Sequence, residues 1–353
     1  MIFKEDIVVT TSNYVHNSLD IPLSNSPFFS RVSRSLLDLI PSNLFFTVEN
    51  IVRAPVFVKC EGLNAAGSVK AKAATRIIDD LERAGTLTSG GTLVESSSGN
   101  LGIALSMIAA ARGYRFICVT DANAASSSIK IMRALGAEVI VVTTKDANGG
   151  YLGARIELIK TICAGDPSKV WVNQYANDSN WKAHYDTTGP EILSRFPKVD
   201  WLVIGAGTTG TLMGCARYFH RNSPLTRIVA VDAKGSVTFG TLPARRLIPG
   251  LGTSRCPEIT DPTLLNEVIH VDETETISMC RALARQGVLV GGSTGTVLAG
   301  IAQIGDRIAK TNTVVTISPD LGSKYLDTIF DDQWVEQNFP GLKPSKHLAG
   351  LRK

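Results

Sequence analysis

Residues 201–214 read WLVIGAGTTGTLMG, and the interpretation of this stretch decides the fold. An apolar run leads into Gly205, Gly207 and Gly210, spaced as G-x-G-x-x-G, and a helix-like segment follows. A second apolar run, RIVAVD at 227–232, ends in Asp232, where a dinucleotide site would hold its ribose. A strand, a glycine-rich turn and a helix in this order belong to an open α/β sheet. What the turn holds is a separate question. Thr208, Thr209 and Thr211 stand among the glycines. Three hydroxyls beside backbone N–H groups suit the several oxygens of a terminal phosphate better than a pyrophosphate, which mainly needs glycine for close approach. Asp232 then simply ends a strand.

Working outward, short apolar runs alternate with helical patterns from residue 56 onward. VFVKCE (56–61), TLVE (92–95), RFICVT (115–120), EVIVV (138–142) and VWVN (170–173) read as strands before the opening stretch. EVIHVD (267–272) and TVVTIS (313–318) read as strands after it. Between them, 70–85 reads as a helix with Ala74, Ile77, Ile78 and Leu81 on one face and Gly85 at its C-terminal cap. LGIALSMIAAARG (101–113) is apolar on nearly all sides and so is expected to be buried. Further helices are expected around 129–135 and after Gly150. Strands apolar on both faces, alternating with helices, imply parallel sheets covered on both sides. The first ~50 residues are less regular and read as an arm or interface segment.

The composition fits a compact enzyme. Of 353 residues, 44% are hydrophobic and 19% charged, and 36 basic against 32 acidic residues give a net charge of +4 without a long basic run. No nucleic-acid partner is expected. No apolar stretch reaches the ~18 residues of a membrane span, and the N-terminus lacks the apolar core of a signal peptide. No membrane partner and a cytoplasmic location are expected. Six cysteines (Cys60, Cys118, Cys163, Cys215, Cys256 and Cys280) are widely spaced, which favours buried free thiols over disulfides or metal ligands.

In parallel sheets, ligands sit beyond the carboxyl ends of the strands, and four loops there are unusual. Lys70 opens a helix, where the positive end of the helix dipole favours a neutral amine, the form needed for Schiff-base chemistry. A surface lysine in a first helical turn is the plain alternative. Ser97, Ser98, Gly99 and Asn100 lie between a strand end and a buried helix, a cradle for a carboxylate or an ordinary serine-rich cap. The 205–211 turn is the third. Ser293, in VGGSTGTVLAG (290–300), follows a strand and offers one hydroxyl to a ring nitrogen, or merely caps the next helix. Each loop has a bland reading. Amine, carboxylate cradle, phosphate cup and hydroxyl partner in one chain describe a site for pyridoxal 5'-phosphate and an α-amino acid.

With these motifs the chain resembles the cysteine synthase and cystathionine β-synthase family of pyridoxal-phosphate enzymes, from PLSNSPFF (22–29) to SPDLGSKYL (318–326). The resemblance implies the tryptophan synthase β-like fold of type II. Each of its two domains is an open, twisted, mostly parallel α/β sheet covered by helices. A small mobile domain is expected over 64–174, and a large one, carrying the phosphate cup, over 1–63 and 175–353. By the resemblance Lys70 carries the cofactor and acts as base, and Asn100 meets the ring's 3-oxygen. Gly207, Thr208, Thr209, Gly210 and Thr211 bind the phosphate, and Ser293 faces the pyridine nitrogen. Ser97, Ser98, Gly99, Asn100 and Gln174 receive the substrate carboxylate. Two departures argue against a housekeeping cysteine synthase: Ala71 and Lys72 follow the lysine where Asp-Arg is usual, and Thr209 replaces a usual glycine.

Within the family, ESSSGNLGIALSMIA (95–109), NQYANDSNWKAHY (173–185), PGLGTSR (249–255) and GGSTG (291–295) are most similar to enzymes that begin 2,3-diaminopropionate synthesis for siderophores and peptide natural products. Those enzymes condense O-phospho-L-serine with L-glutamate, giving N-(2-amino-2-carboxyethyl)-L-glutamate and phosphate by β-replacement through an aminoacrylate. Arg255 and Tyr151 are candidates to meet the leaving phosphate or the incoming glutamate, with a solvent-facing role as the alternative for Arg255. A sulfhydrylase using O-acetylserine or O-phosphoserine is the competing activity. A non-catalytic regulatory protein that keeps the cofactor pocket is the competing class. No metal site is expected. The resemblance further implies small amino-acid substrates and a homodimer.

Overall fold

Two sheets carry the molecule, and their strand orders fix where loops converge. The computed structural model describes residues 35–38, 40, 43–145 and 150–342. The expected N-terminal arm up to residue 34, the PLSNSPFF stretch and Gly149 lie outside the described residues. Residues 1–39 and 40–353 are separate units; the first contributes a 3-10 turn, Leu36–Asp38, and the second holds both sheets.

The chain enters through β1 (Phe45–Val48) and β2 (Val56–Cys60), then α1 (Lys70–Arg83). There follow β3 (Thr92–Ser96), α2 (Asn100–Arg112), β4 (Arg115–Asp121), α3 (Ser126–Ala134), β5 (Glu138–Val142), α4 (Leu152–Gly165) and β6 (Lys169–Trp171). Helices α5 (Ser179–Asp186) and α6 (Thr188–Arg195) lead to β7 (Trp201–Gly205), α7 (Gly210–Asn222) and β8 (Arg227–Ala233). The chain ends with β9 (Glu267–Val271), α8 (Glu273–Ala284), α9 (Gly292–Gln303), β10 (Val314–Ser318) and α10 (Asp332–Asn338).

The larger sheet has the order β1-β2-β10-β7-β8-β9, and the smaller β5-β4-β3-β6. All pairings are parallel except β1 with β2. This is the α/β architecture the alternating pattern implied. Its cause is visible in β7, where Val203 packs into the core with α9 while Leu202 and Ile204 pack into the core with α7. Both faces of the strand are therefore dry, and each fully buried aliphatic side chain contributes roughly 1.5–3 kcal/mol. Strand β1 lies inside the segment expected to be irregular. Its four residues are too few to show a periodicity, and it is held as an antiparallel edge, Phe45 opposite Lys59.

Four cysteines (Cys60, Cys118, Cys215, Cys280) are buried, Cys163 is half-buried, and Cys256 is exposed, contrary to burial as a rule; all six are free. Burial pushes the Cys118 thiol up to about 12, so it packs as a small hydrophobe.

In each sheet the chain reverses its direction of travel once. In the larger sheet β7, β8 and β9 run outward one way, and β10 returns to the other side of β7. In the smaller sheet β3, β4 and β5 run one way, and β6 returns to the other side of β3. Crevices open beyond the carboxyl ends of strands at such reversals. They lie between the loops after β7 and β10, and between those after β3 and β6.

Candidate active site

Lys70 is the first residue of α1, and its helix entrance is tied to the loop after β10. The Val69 N–H donates to Pro319 O at 2.8 Å, and Ser68 bridges Asp320. The half-buried Lys70 ammonium donates to Thr208 Oγ1 at 2.9 Å, with Gln174 Oε1 at 3.5 Å. Its pKa falls to about 8. Burial is the main cause, opposed by the charge of Glu95, so desolvation rather than the helix end expected from the sequence favours the neutral amine. Glu95 is itself pushed up to about 7 by burial, while accepting the Ser96 N–H at 2.8 Å and the Gln174 N–H at 3.3 Å.

The turn between β7 and α7 is shaped by close approaches. A Cβ on Gly207 would lie 2.7 Å from Gly250 O, and one on Gly210 would lie 2.1 Å from Asn180 Oδ1. Thr209 adopts φ +61°, in the left-handed region where glycine is usual, and its side chain does not cap α7. Its hydroxyl instead meets Thr260 Oγ1 at 2.9 Å. Thr208 Oγ1 also accepts from Asn180 Nδ2 at 3.3 Å, and Thr211 Oγ1 lies 3.2 Å from His184 Nε2. The backbone N–H groups of this first helical turn, together with hydroxyls, make an anion-type site.

Between β3 and α2, the buried Ser97 Oγ accepts the N–H groups of Gly99 at 3.3 Å and Gly102 at 2.9 Å. Ser98 is exposed and Gly99 half-buried. Asn100 begins α2 and is engaged on both sides: its Nδ2 donates to Asp320 Oδ2 at 2.8 Å, and its Oδ1 accepts from Lys324 Nζ at 2.6 Å. Gln174, from beyond β6, donates to Ser96 O at 3.5 Å and joins this cradle to Lys70.

Ser293 is buried at the start of α9. Gly250, at φ +113°, lies between it and the turn: a Cβ there would sit 2.2 Å from Ser293 Oγ, while its oxygen faces Gly207. The structure thus brings Lys70, Gln174, the 207–211 turn and, through Gly250, Ser293 into one contiguous set. Tyr151 and Arg255 make no hydrogen bond to this set. Tyr151 precedes α4 with the Lys145 ammonium 6.0 Å from its ring centre. The exposed Arg255 pairs with Glu258, although its charge, with those of Arg155 and Arg246, reaches Tyr175 beside Gln174.

Asn180, His184, Glu95, Asp320 and Lys324 were not singled out from the sequence. Asn180 and His184 are four residues apart in a helix, a spacing that places both on one face and was available as a signal. Asp320 and Lys324 carried none, since only the sheet order brings the loop after β10 to Asn100.

A phosphate monoester aldehyde suits these residues. The turn has no room for side chains at Gly207 and Gly210, and a lysine of lowered pKa stands beside it.

Residues 40–320 match the family described as pyridoxal-phosphate dependent enzyme. The chain is 40% identical over 335 residues to the N-(2-amino-2-carboxyethyl)-L-glutamate synthase of Ralstonia nicotianae, covering 91% of this chain and 99% of that one. Among solved structures it is similar to O-ureido-L-serine synthase, with a TM-score of 0.79, 31% identity, and 85% and 96% of the two chains covered. It is likewise similar to the O-acetylserine dependent cystathionine beta-synthase from Helicobacter pylori, with a TM-score of 0.79, 29% identity, and 84% and 98% covered.

Proposed function

Because the chain belongs to the pyridoxal-phosphate dependent enzymes, we propose that it replaces the β-phosphate of O-phospho-L-serine with the amino group of L-glutamate. The products are N-(2-amino-2-carboxyethyl)-L-glutamate and phosphate, a step towards 2,3-diaminopropionate. The observation that carries the choice of substrates is the likeness to the Ralstonia nicotianae enzyme, which runs through nearly the whole of both chains. The site geometry supports the type of reaction.

Bound pyridoxal phosphate supplies an electron-withdrawing ring that acidifies the Cα proton of an amino acid attached to it. Lys70 is the residue to carry the aldehyde carbon. Its amine, when free, would be the base that takes the Cα proton as the β-phosphate leaves and the acid that returns it after the glutamate amine has added at Cβ. Thr208, 2.9 Å from Lys70, joins Gly207, Thr209, Gly210 and Thr211 around the phosphate. Ser293, a neutral hydroxyl, would be the residue to face the ring nitrogen, and as a poor proton donor it would leave the ring suited to elimination and addition rather than transamination. Ser97, Ser98, Gly99, Asn100 and Gln174 would receive the substrate carboxylate, and Asn100 would also be the residue to meet the ring's 3-oxygen. Arg255 and Tyr151 serve the second substrate at the entrance. A small domain, 64–174, closes over the large one, and the enzyme works as a cytoplasmic homodimer.

The test is product analysis by mass spectrometry. Purified enzyme is given O-phospho-L-serine with either L-glutamate or sulfide. The condensed amino acid with glutamate supports the proposal. Cysteine with sulfide and no condensed product would make the protein a sulfhydrylase. Turnover of neither pair would reject O-phospho-L-serine as the donor.

A further inference from the structure

Lys72 stands where the related enzymes usually have arginine, yet it is buried and fully engaged. Its ammonium donates to Glu191 Oε2 at 2.6 Å, to Glu61 Oε1 at 2.8 Å and to Thr188 Oγ1 at 3.3 Å. Lys59 pairs with the same two carboxylates, at 3.3 Å from Glu61 and 2.8 Å from Glu191, so two lysines balance two glutamates inside the protein. From this quartet a line of contacts runs to the anion turn. Thr188 Oγ1 lies 2.9 Å from His184 Nδ1, and His184 Nε2 lies 3.2 Å from Thr211 Oγ1.

The direction of each bond follows from chemistry. An ammonium only donates, so Thr188 Oγ1 must accept from Lys72. Thr188 is fully buried, and among the described residues His184 Nδ1 is the acceptor within reach of its one hydroxyl proton; satisfying that proton leaves Nδ1 bare. His184 is neutral, because burial, and then the charges of Lys72, Lys70 and Lys59, hold its pKa well below the ordinary value. Its proton therefore sits on Nε2 and is donated to Thr211 Oγ1. Thr211, already accepting, has its own proton left to donate into the turn.

We propose that Lys72, Thr188 and His184 form a one-way hydrogen-bond relay that fixes the Thr211 hydroxyl as a donor to the cofactor phosphate. The relay rests on the reading of 207–211 as the phosphate site. Its three members are positioning residues, since none of them touches the cofactor. An oxygen that pointed its lone pairs at a phosphate dianion would repel it, so a fixed donor strengthens binding without adding a charge to the cup.

The test uses holoenzyme labelled with 15N-histidine, with the His184 signal assigned by its loss in His184→Gln. The expected wild-type spectrum shows a neutral ring protonated at Nε2 and unchanged between pH 6 and 8. Thr188→Val, which keeps shape and removes the hydroxyl, is expected to mix the two tautomers and raise the dissociation constant for pyridoxal phosphate about tenfold. Thr188→Ser is expected to restore both. A wild-type ring protonated at Nδ1 overturns the relay whatever the variants do. So does a Thr188→Val protein with wild-type affinity, provided Thr211→Val binds the cofactor more weakly. If Thr211→Val also binds with wild-type affinity, the phosphate reading of the turn fails and takes the relay with it.

Discussion

Lys70 carries opposite demands in folding and in chemistry. At pH 7 its half-buried, poorly hydrated ammonium is a cost to the fold. A lysine whose pKa drops from 10.5 to about 8 binds its proton less tightly when folded than when unfolded. Stability is therefore depressed below pH 8, recovers as pH rises from 8 to 10.5, and is unaffected above that. Lys70→Met is expected to stabilise the cofactor-free protein at pH 7 by about 1–3 kcal/mol, the gain fading over that alkaline window in urea titrations. A constant gain at all pH values would assign it to packing instead. The same variant is expected to lose turnover by at least about 10²–10⁴-fold. Capture of pyridoxal phosphate by the wild-type apoprotein, followed by visible absorbance, should quicken up to pH 8 and then level off, because the neutral amine is the reactive form. Lys70 was legible in the sequence from its place at a helix start after a strand. The cause of its lowered pKa was not, because burial of the amine is a tertiary effect: its neighbours Gln174 and Thr208 come from distant parts of the chain.

At the scale of elements, the crossing of α5 with α7 explains how the anion turn gets its side-chain neighbours. Gly210 and Gly214 stand one turn apart on α7, and neither has room for a methyl group. A Cβ at Gly214 would fall 2.3 Å from Trp181 O and 2.6 Å from His184 Cβ. These two glycines let the α5 backbone approach until Asn180 reaches Thr208 and His184 reaches Thr211. In the sequence, Gly210 was explained by the phosphate alone and Gly214 not at all, because a glycine that makes room for another helix has no local signature. Gly214→Ala should therefore cost about 1–3 kcal/mol of stability through overpacking. It should also weaken cofactor binding in spectroscopic titrations, although residue 214 lies outside the turn. Unchanged affinity would mean that α5 does not help to shape the site. The buried quartet belongs to the same scale, since it joins β2, α1 and α6. Glu191→Ala leaves two buried lysines with one carboxylate between them, and a loss of about 3–5 kcal/mol is expected in denaturant unfolding. Strands β2 to β10 and helices α1 to α4, α7 and α9 were readable because each is a continuous apolar run or a helical stripe. β1 was not, being four residues of edge, and the strand expected before Ser293 is only an isolated bridge at Val290.

At the scale of the whole molecule, two sheets each contribute a crevice, and besides Lys70 with Gln174 and Thr208 a second cluster of side chains connects them. Lys324, from the turn after β10, donates to Asn100 Oδ1 at 2.6 Å and Gly67 O at 3.0 Å. Asp320, from the same turn, accepts from Asn100 Nδ2 at 2.8 Å and from Tyr325 OH at 3.0 Å. The larger sheet thus holds the first residue of α2, at the mouth of the smaller one, by its amide. Both halves of the site were legible locally, as loops after strands, but their connection was not, because it depends on β10 returning beside β7. If the proposed carboxylate cradle must move to admit substrate, this clasp sets how readily it does so. Lys324→Met removes two charge-assisted bonds, each worth about 1.5–3 kcal/mol when intact, and leaves Asp320 holding Asn100. A looser cradle has to be ordered by the substrate itself, so KM for O-phospho-L-serine should rise about tenfold, while kcat falls less. Small-angle scattering of the substrate-free enzyme should show a larger radius of gyration, returning towards wild type when the substrate is added. A lowered melting temperature with unchanged KM and unchanged scattering would reduce the clasp to a structural contact and leave closure of the cradle without a latch.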